Sequence, residues 1–391
     1  MRIMLTGAEP PYPDAVMGGQ LDYHGLASYL AKSGHSCSLA ATQRQDRFWS
    51  RVERRLVRLV GENSLFGRLQ EACSRLGHIY SRWEREEFSG YSIYRMRNHD
   101  MMRLMHPLLE VECPDVVIAQ GGRREQLALL ASSHSIPSMI RLVCAENVDD
   151  LAGLVRTTPD LARLIFSGEM PVVSNSKFIA SRVLSKLNIQ SPVIYPPILF
   201  DLYVATGRHP NFITFINPIA EKGVDLAIRI AELLPHRDFC FVQSWTLSKR
   251  ALQAIRTRLA AVPNVYLRPA TFDMRSIYES TALLLVPSQC EEAFGRVVLE
   301  ACANGIPVVA SAVGGIAEAL GGGGLLLSAA DPAERWAQAI ESVLADSDQY
   351  QRLSSAGLLH AHQAKFGMDN IVDALLRQAE SLLDRQKIRT S

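Results

Sequence analysis

Short apolar runs alternate with helical patterns along most of this chain, and the alternation constrains the fold more than any other feature. Such runs predict parallel strands whose faces are covered by helices. The predicted strands are Arg2 to Leu5, Ser36 to Ala40, Val116 to Ala119, Ser138 to Val143 and Pro171 to Ser174, then Phe212 to Ile216, Phe239 to Val242, Val265 to Leu267, Ala282 to Val286, Val308 to Ser311 and Gly324 to Leu327. Two such series in 391 residues predict an α/β chain with two Rossmann-like domains.

The proline-rich stretch Tyr195-Pro196-Pro197 is the predicted join between the two domains. We assign 1–200 to the first domain and 205–369 to the second. The last segment, 370–391, is predicted to form a helix that packs back on the first domain. In such a fold a ligand lies in the cleft between the domains, at the carboxyl ends of the strands.

Composition excludes several classes of function. A net charge of +1 argues against electrostatic binding of nucleic acid. Seven cysteines without a C-x-x-C pair argue against a disulfide framework and a zinc site, and indicate a reducing, cytoplasmic compartment. The start, Met1 to Thr6, is too short for a signal-peptide core, and no apolar run approaches the roughly 18 residues of a membrane span.

The segment 44–103 stands apart because it holds thirteen arginines and no lysine. Its apolar residues from Phe48 to Val60 recur at helical spacing. One interpretation is an amphipathic helix, 44–60, that contacts the inner face of an anionic membrane peripherally. The other, which we favour, is a helical insertion of the first domain that packs on its own core.

The run from Pro287 to Glu318 carries the strongest functional signal. Glu292 follows the apolar strand Ala282 to Val286, and a helix then opens at Phe294-Gly295. The first amides of a helix have no intrahelical partner and favour an anion. Gly305 to Pro307 ends this helix before the next strand, and a second glycine pair, Gly314-Gly315, follows that strand.

Glu300 follows Glu292 by eight positions, which is roughly 12 Å along a helix axis. A glycosidase pair requires carboxylates about 5–10 Å apart, so the two glutamates are expected to contact different parts of one elongated ligand. A nucleotide diphosphate sugar has this shape. Glu292 would accept hydrogen bonds from sugar hydroxyls, the helix start would face the diphosphate, and Glu300 would accept those of the ribose hydroxyls.

This run resembles the signature of the family-four retaining glycosyltransferases of the GT-B fold. In that family two glutamates separated by seven residues precede G-I-P-V-V and G-G-x-x-E, as they do here. The resemblance extends more weakly over an amino-terminal glycine pair, the S-N-S-K-F segment at 174–178 and a lysine-glycine turn. It implies the GT-B fold, and donor contacts from the whole signature segment: Glu292, Ala293, Phe294, Gly295, Arg296 and Glu300.

The lysine of that turn, Lys222, follows the strand Phe212 to Ile216 and is predicted to bind the departing diphosphate. The family has an arginine five positions earlier, where this chain has Asn217. Either Arg296 supplies the second charge, or Lys222 acts with helix dipoles and Asn217 as a neutral donor. Arg296 is equally placed to pair with Glu300, four residues on.

Two further places are assigned from the resemblance. Gly18-Gly19 matches the family's glycine pair, where backbone amides approach a phosphate closely. The family often has a histidine after the fourth strand of the first domain, and here that place falls at Val143-Cys144. Glu146 and Asn147 follow, and either contact the sugar or the acceptor or simply cap a helix.

The resemblance therefore implies a retaining glycosyltransferase that needs no metal or other cofactor. Its donor would be a UDP-sugar or GDP-sugar, with UDP favoured, and its acceptor a hydroxyl of a glycan, a lipid-linked compound or a secondary metabolite. Two rival interpretations stay open: a nucleotide-sugar-binding subunit with weak catalysis, and a sugar-nucleotide epimerase on the same fold. Glu292 and Lys222 are the predicted catalytic residues.

Overall fold

The computed structural model describes residues 1–12, 18–43, 83–98, 100–243 and 248–390. They form two sheets, each covered by helices. The predicted membrane helix at 44–60 and most of the predicted insertion lie outside the described residues.

The first sheet has seven strands in the order β3-β4-β2-β1-β5-β6-β7. All neighbours are parallel except β3 and β4. The strands are β1 (Arg2–Gly7), β2 (Ser36–Thr42), β3 (Glu84–Phe88), β4 (Tyr91–Met96), β5 (Val116–Gln120), β6 (Ser138–Leu142) and β7 (Val172–Ser174). The accompanying helices are α1 (Gly18–Lys32), α2 (Met101–Glu112), α3 (Arg124–Ser133), α4 (Ala145–Thr157), α5 (Pro159–Phe166) and α6 (Lys177–Leu187).

The second sheet has six parallel strands in the order β10-β9-β8-β11-β12-β13. They are β8 (Phe212–Ile216), β9 (Phe239–Val242), β10 (Val265–Arg268), β11 (Thr281–Val286), β12 (Val308–Ser311) and β13 (Gly324–Leu327). The helices are α7 (Val224–Leu233), α8 (Lys249–Leu259), α9 (Met274–Ser280), α10 (Arg296–Ala303), α11 (Ile316–Leu320), α12 (Ala333–Ala345), α13 (Ser347–Ala361) and α14 (Met368–Thr390); short 3-10 turns lie at Phe200–Leu202, Ala220–Lys222 and Ala364–Phe366. The α/β class with two Rossmann-like domains is thereby confirmed.

The segment 44–103 is not helical throughout, which corrects the prediction of a helical insertion. Within it, β3 and β4 pair antiparallel as a hairpin that extends the first sheet. Ser89 and Gly90 join them with φ of 51° and 86°, the two positive values of a type I′ turn. Four charged side chains, Glu84 to Glu87, are exposed on this edge strand, and charges on an edge discourage pairing with other chains.

The two halves share one apolar cluster, which runs from β1 through the linker at Ile194 and Tyr195 to the second sheet. Tyr195 packs against Phe294 of the signature and Phe366, with ring centroids 5.6 and 4.9 Å away. The chain passes between the domains twice, at the linker and just before the last helix. Phe366 belongs to the second of these segments, so its contact with Tyr195 joins the two.

Helix α14 contacts the first domain near both of its ends. Tyr29 of α1 donates a hydrogen bond to Asp369, and Arg385 donates one to the carbonyl of Gly168 at 3.0 Å. The exact domain limits stay a prediction. In the described part of the chain, no helix is both long enough and apolar enough to cross a bilayer.

Candidate functional site

Strand β8 lies between β9 and β11, so the order of the second sheet reverses beside it. Open parallel sheets bind ligands in the crevice that such a reversal leaves at the carboxyl ends of the strands. Lys222, after β8, and Glu292, after β11, form an ion pair in this crevice. The Ser288 hydroxyl donates to the same Glu292 oxygen, Oε1, at 2.8 Å. Side-chain exposures of 20% and 17% leave the pair accessible from the cleft.

Glycines hold the loops of this crevice close together. Gly223, with φ of 82°, approaches Pro287 so closely that an added Cβ would lie 2.0 Å from the Pro287 carbonyl oxygen. On the other side of the loop, the amide of Gly315 donates to the Glu292 carbonyl at 2.7 Å. The positions of Lys222 and Glu292 therefore depend on backbone packing that tolerates no side chain at these turns.

Helix α10 begins at Arg296 after Gly295, which caps it in the left-handed conformation with φ of 90°. Arg296 Nε and Glu300 Oε1 lie 3.8 Å apart, so the ion pair predicted from their four-residue spacing is present. The hydroxyl of Tyr278 donates to Glu300 Oε2 at 2.7 Å. Burial raises the pKa of the Glu300 carboxyl, while Arg296 and the Tyr278 hydrogen bond oppose that shift.

Arg296 lies between the domains and is not directed only at the crevice. Its Nη1 donates to the Pro197 carbonyl of the linker at 3.0 Å. Burial works to lower the pKa of Arg296, but nearby Tyr203 and Glu300 outweigh it and raise that pKa. The guanidinium is thus held charged where linker and signature helix meet.

Asn217 occupies the position of the family arginine and is 4% exposed. It has φ of 66°, and its amide donates to the Val242 carbonyl at 2.6 Å. Its side-chain Oδ1 has no hydrogen-bond partner among the described residues. The structure places Asn217 at the end of β8, beside the turn of Lys222.

The glycine pair starts α1 and faces the signature helix. A Cβ built on Gly18 would lie 3.5 Å from Cδ of Arg296, and one on Gly19 would lie 3.6 Å from Oε2 of Glu9. The glycine pair therefore lies between Arg296 of the second domain and the Glu9 carboxylate of the first. Glu9 had not been singled out from the sequence.

Glu146 and Asn147 lie in the first turn of α4. Glu146 is exposed, whereas Asn147 is buried and its Oδ1 accepts a hydrogen bond from the Val143 amide at 3.4 Å. Arg124 donates to the Asn147 carbonyl at 2.9 Å. Asn147 thus fixes the loop after β6, and a role in acceptor binding stays a prediction for both residues.

Contacts across the domain boundary were missed from the sequence. Ser176 donates through Oγ to the Ala293 carbonyl at 2.6 Å. Glu318, the last residue of the signature, accepts from the Lys177 amide at 2.8 Å and from the Tyr195 hydroxyl at 2.6 Å. The motifs S-N-S-K-F and G-G-x-x-E had marked these places, but nothing in either motif says that they meet.

No group of three or more His, Cys, Asp or Glu side chains able to hold a metal occurs among the described residues. The crevice offers the Lys222 ammonium, the Glu292 carboxylate and the amides that begin α10. Such a set can bind a polyhydroxylated anion by an ammonium, helix amides and a hydrogen-bond acceptor.

Comparison with known proteins supports the same family. Residues 210–346 match the family Glycosyl transferases group 1. A D-inositol 3-phosphate glycosyltransferase of Corynebacterium urealyticum is 38% identical over 112 residues, which are 28% of this chain and 26% of that protein. D-inositol 3-phosphate glycosyltransferase 1 of Catenulispora acidiphila is 34% identical over 179 residues, 42% of each chain. The matched segments thus span well under two thirds of these curated relatives.

Solved structures share the whole fold at low sequence identity. Sucrose-phosphate synthase from Thermosynechococcus elongatus superposes with a TM-score of 0.72 at 16% identity over 100% of both chains. Anabaena HepE, solved with UDP and glucose, superposes with a TM-score of 0.69 at 16% identity over 97% of this chain and 100% of its own. Residues 210–346 thus match the group 1 glycosyl transferases, and the chain as a whole has the two-domain GT-B fold of these solved structures.

Proposed function

We propose that this protein is a retaining glycosyltransferase that moves a hexose from a UDP-sugar to a hydroxyl of a glycan, lipid or secondary metabolite. The contact between Lys222 and Glu292 at the reversal point of the second sheet carries the proposal. UDP is favoured because HepE, which shares the fold, was solved with UDP and glucose.

The geometry suggests how the pair would act on such a donor. Negative charge builds on the diphosphate as the glycosidic bond breaks, and a fixed ammonium stabilises that charge more in the transition state than in the ground state. Lys222 would meet the diphosphate together with the free amides of α10. Glu292, already bonded to Ser288, would accept hydrogen bonds from sugar hydroxyls.

Arg296 would not supply the second positive charge for the diphosphate; it would instead join the two domains. Its contacts with Pro197 and Glu300 direct it to the domain boundary. The donor site would then work with one ammonium, helix amides and Asn217, whose buried side chain still has an unpaired oxygen.

The test begins with calorimetry of UDP, GDP and UDP-sugars, followed by donor-hydrolysis and transfer assays with product mass spectrometry. Lys222→Ala and Glu292→Gln are each expected to lower transfer by about a hundredfold or more, as expected for groups that stabilise developing charge. Lys387→Ala, which removes an exposed lysine paired with Asp384 on the last helix, is the matched control and should keep full activity.

Three results would redirect the proposal. Near-wild-type turnover of Lys222→Ala would refute the site. Binding of UDP-sugar without hydrolysis or transfer would favour the inert subunit, and a rearranged sugar nucleotide without transfer would favour the epimerase. The anomeric configuration of the product, read by NMR, tests retention: an α-linked donor must give an α-linked product.

A further inference from the structure

The first sheet has its own reversal point, at β1, which lies between β2 and β5. Glu9 follows β1, and Gly121-Gly122 follows β5, so both border the crevice where a parallel sheet binds ligands. Backbone hydrogen bonds fix both loops: the Ala8 amide donates to the Gly122 carbonyl at 2.8 Å, and the Thr42 amide donates to the Glu9 backbone carbonyl at 3.1 Å.

The Glu9 carboxylate is held in a cradle without side chains. A Cβ added to Gly121, whose φ is 67°, would lie 2.8 Å from Glu9 Oε1. On the opposite side Gly19 borders Oε2, and Gln20 donates to that oxygen through Nε2 at 2.9 Å. Glu9 itself stays only half-buried, so its carboxylate is positioned but still reachable from the cleft.

Two buried polar atoms beside Glu9 have no hydrogen-bond partner among the described residues. They are Oε1 of Gln20, a residue 1% exposed, and Nε of Arg124, a residue 3% exposed. An unpaired buried polar group costs about 1–3 kcal/mol, so its presence at a crevice indicates a place where a ligand supplies the missing bond. The Gln20 oxygen can accept a hydrogen bond from a hydroxyl placed next to Glu9.

Charge decides which part of the reaction this place serves. A carboxylate repels the diphosphate of the donor, which the second domain meets with Lys222. The Glu9 carboxylate can instead bind hydroxyl groups, because an ionised carboxylate accepts short and strong hydrogen bonds. Burial raises the pKa of Glu9, while the Gly122 amide and Arg124 oppose that shift.

We propose that Glu9 and Gln20 form the acceptor subsite and bind adjacent hydroxyls of a neutral polyhydroxylated ring, a sugar or a cyclitol. This inference rests on the proposed function and names the acceptor class. The glycine pair places the subsite next to the signature helix: Gly19 borders Glu9, and Gly18 borders Arg296. Glu9 is a binding and positioning residue here.

The test compares Glu9→Gln with Glu110→Gln, a matched change at an exposed carboxylate of α2. Whichever UDP-sugar the wild type hydrolyses serves as donor, with a panel of monosaccharides and cyclitols as acceptors. Glu9→Gln should lower kcat/KM for the acceptor at least tenfold, with UDP affinity and donor hydrolysis within twofold of wild type. Glu9→Asp, which keeps the charge, should recover part of the loss, and Glu110→Gln should match wild type.

Binding is measured in parallel by saturation-transfer NMR of the same panel in the presence of UDP. Wild type should show transfer to ring compounds, and Glu9→Gln should lose it. Unchanged acceptor kinetics in Glu9→Gln, an equal loss in Glu110→Gln, or no saturation transfer from wild type to any compound of the panel would overturn the subsite. Failure of wild type to bind UDP or hydrolyse any donor would instead refute the proposed function.

Discussion

Gly314 gives the sharpest test of the donor site, because its effect follows from distances alone. The residue has φ of 57°, and a Cβ added there would lie 2.1 Å from the carbonyl oxygen of Glu292 and 2.7 Å from its nitrogen. Real Cβ atoms essentially never approach closer than 3.0 Å, so in Gly314→Ala the Glu292 backbone must retreat by about 1 Å. A misplacement of about 1 Å in a reacting group costs on the order of a hundredfold in rate.

The same substitution should lower the free energy of unfolding by about 2–4 kcal/mol, from the left-handed conformation and the crowding together. Donor hydrolysis and transfer would be measured with circular dichroism as the check on folding. Gly153→Ala is the control, because that glycine lies within α4 and no atom approaches within 4 Å of its added Cβ. Gly153→Ala should keep its activity and gain up to about 1 kcal/mol of stability. A folded Gly314→Ala protein with wild-type turnover would refute the reasoning that the position of Glu292 governs the reaction.

Three other outcomes are expected. Ser176→Ala should lower the free energy of unfolding, measured in urea, by about 2 kcal/mol. The Ser176 hydroxyl accepts a hydrogen bond from the Ile179 amide, which caps α6, and donates one to the Ala293 carbonyl. The control Ser181→Ala removes an exposed hydroxyl of the same helix and should change the free energy of unfolding very little. Burial raises the pKa of the Glu300 carboxyl above its ordinary 4.5. The folded protein therefore loses stability as pH rises from 4.5 through the folded-state pKa of Glu300, because the buried carboxyl must ionise. The melting temperature of wild type should fall relative to that of Glu300→Gln above pH 4.5. His24 shows the opposite pH dependence, because burial lowers its pKa from 6.5. Wild type should therefore lose stability relative to His24→Gln as pH falls below 6.5. A constant difference in melting temperature between the two proteins across that range would contradict the assignment.

The strands of the second domain were predictable because each is a short, mainly apolar run, and the four central ones, β9, β8, β11 and β12, are almost wholly buried. Phe212–Ile216, Val308–Ser311 and Gly324–Leu327 lie at the predicted limits. The hairpin β3-β4 was missed for the opposite reason: Glu84 to Glu87 are charged and exposed, and pairing with β4 rather than local preference makes them a strand. The Ser89-Gly90 turn was the one local signal that could have found it.

The relation of Lys222 to Glu292 followed from topology, since each comes after a strand and those strands are neighbours in the sheet. Their functional roles stay predictions. Contacts such as that of Ser176 with Ala293 join positions far apart in sequence and in different domains. No spacing rule covers them, because they depend on how the two halves are oriented.

The distribution of contacts separates donor binding from transfer. Lys222 and Glu292 both belong to the second domain, so their pairing does not depend on the first. The signature segment contacts the first domain through Ala293 and Glu318, and the linker through Arg296, so a change in the angle between the halves must alter all three contacts. Gly18 approaches Arg296 of the signature helix and Gly19 approaches Glu9, so the position of Glu9 relative to that helix depends on the same boundary. Loosening the boundary should therefore weaken transfer to an acceptor more than it weakens nucleotide binding, and a variant such as Ser176→Ala that lost UDP affinity and transfer in equal measure would contradict this division of roles.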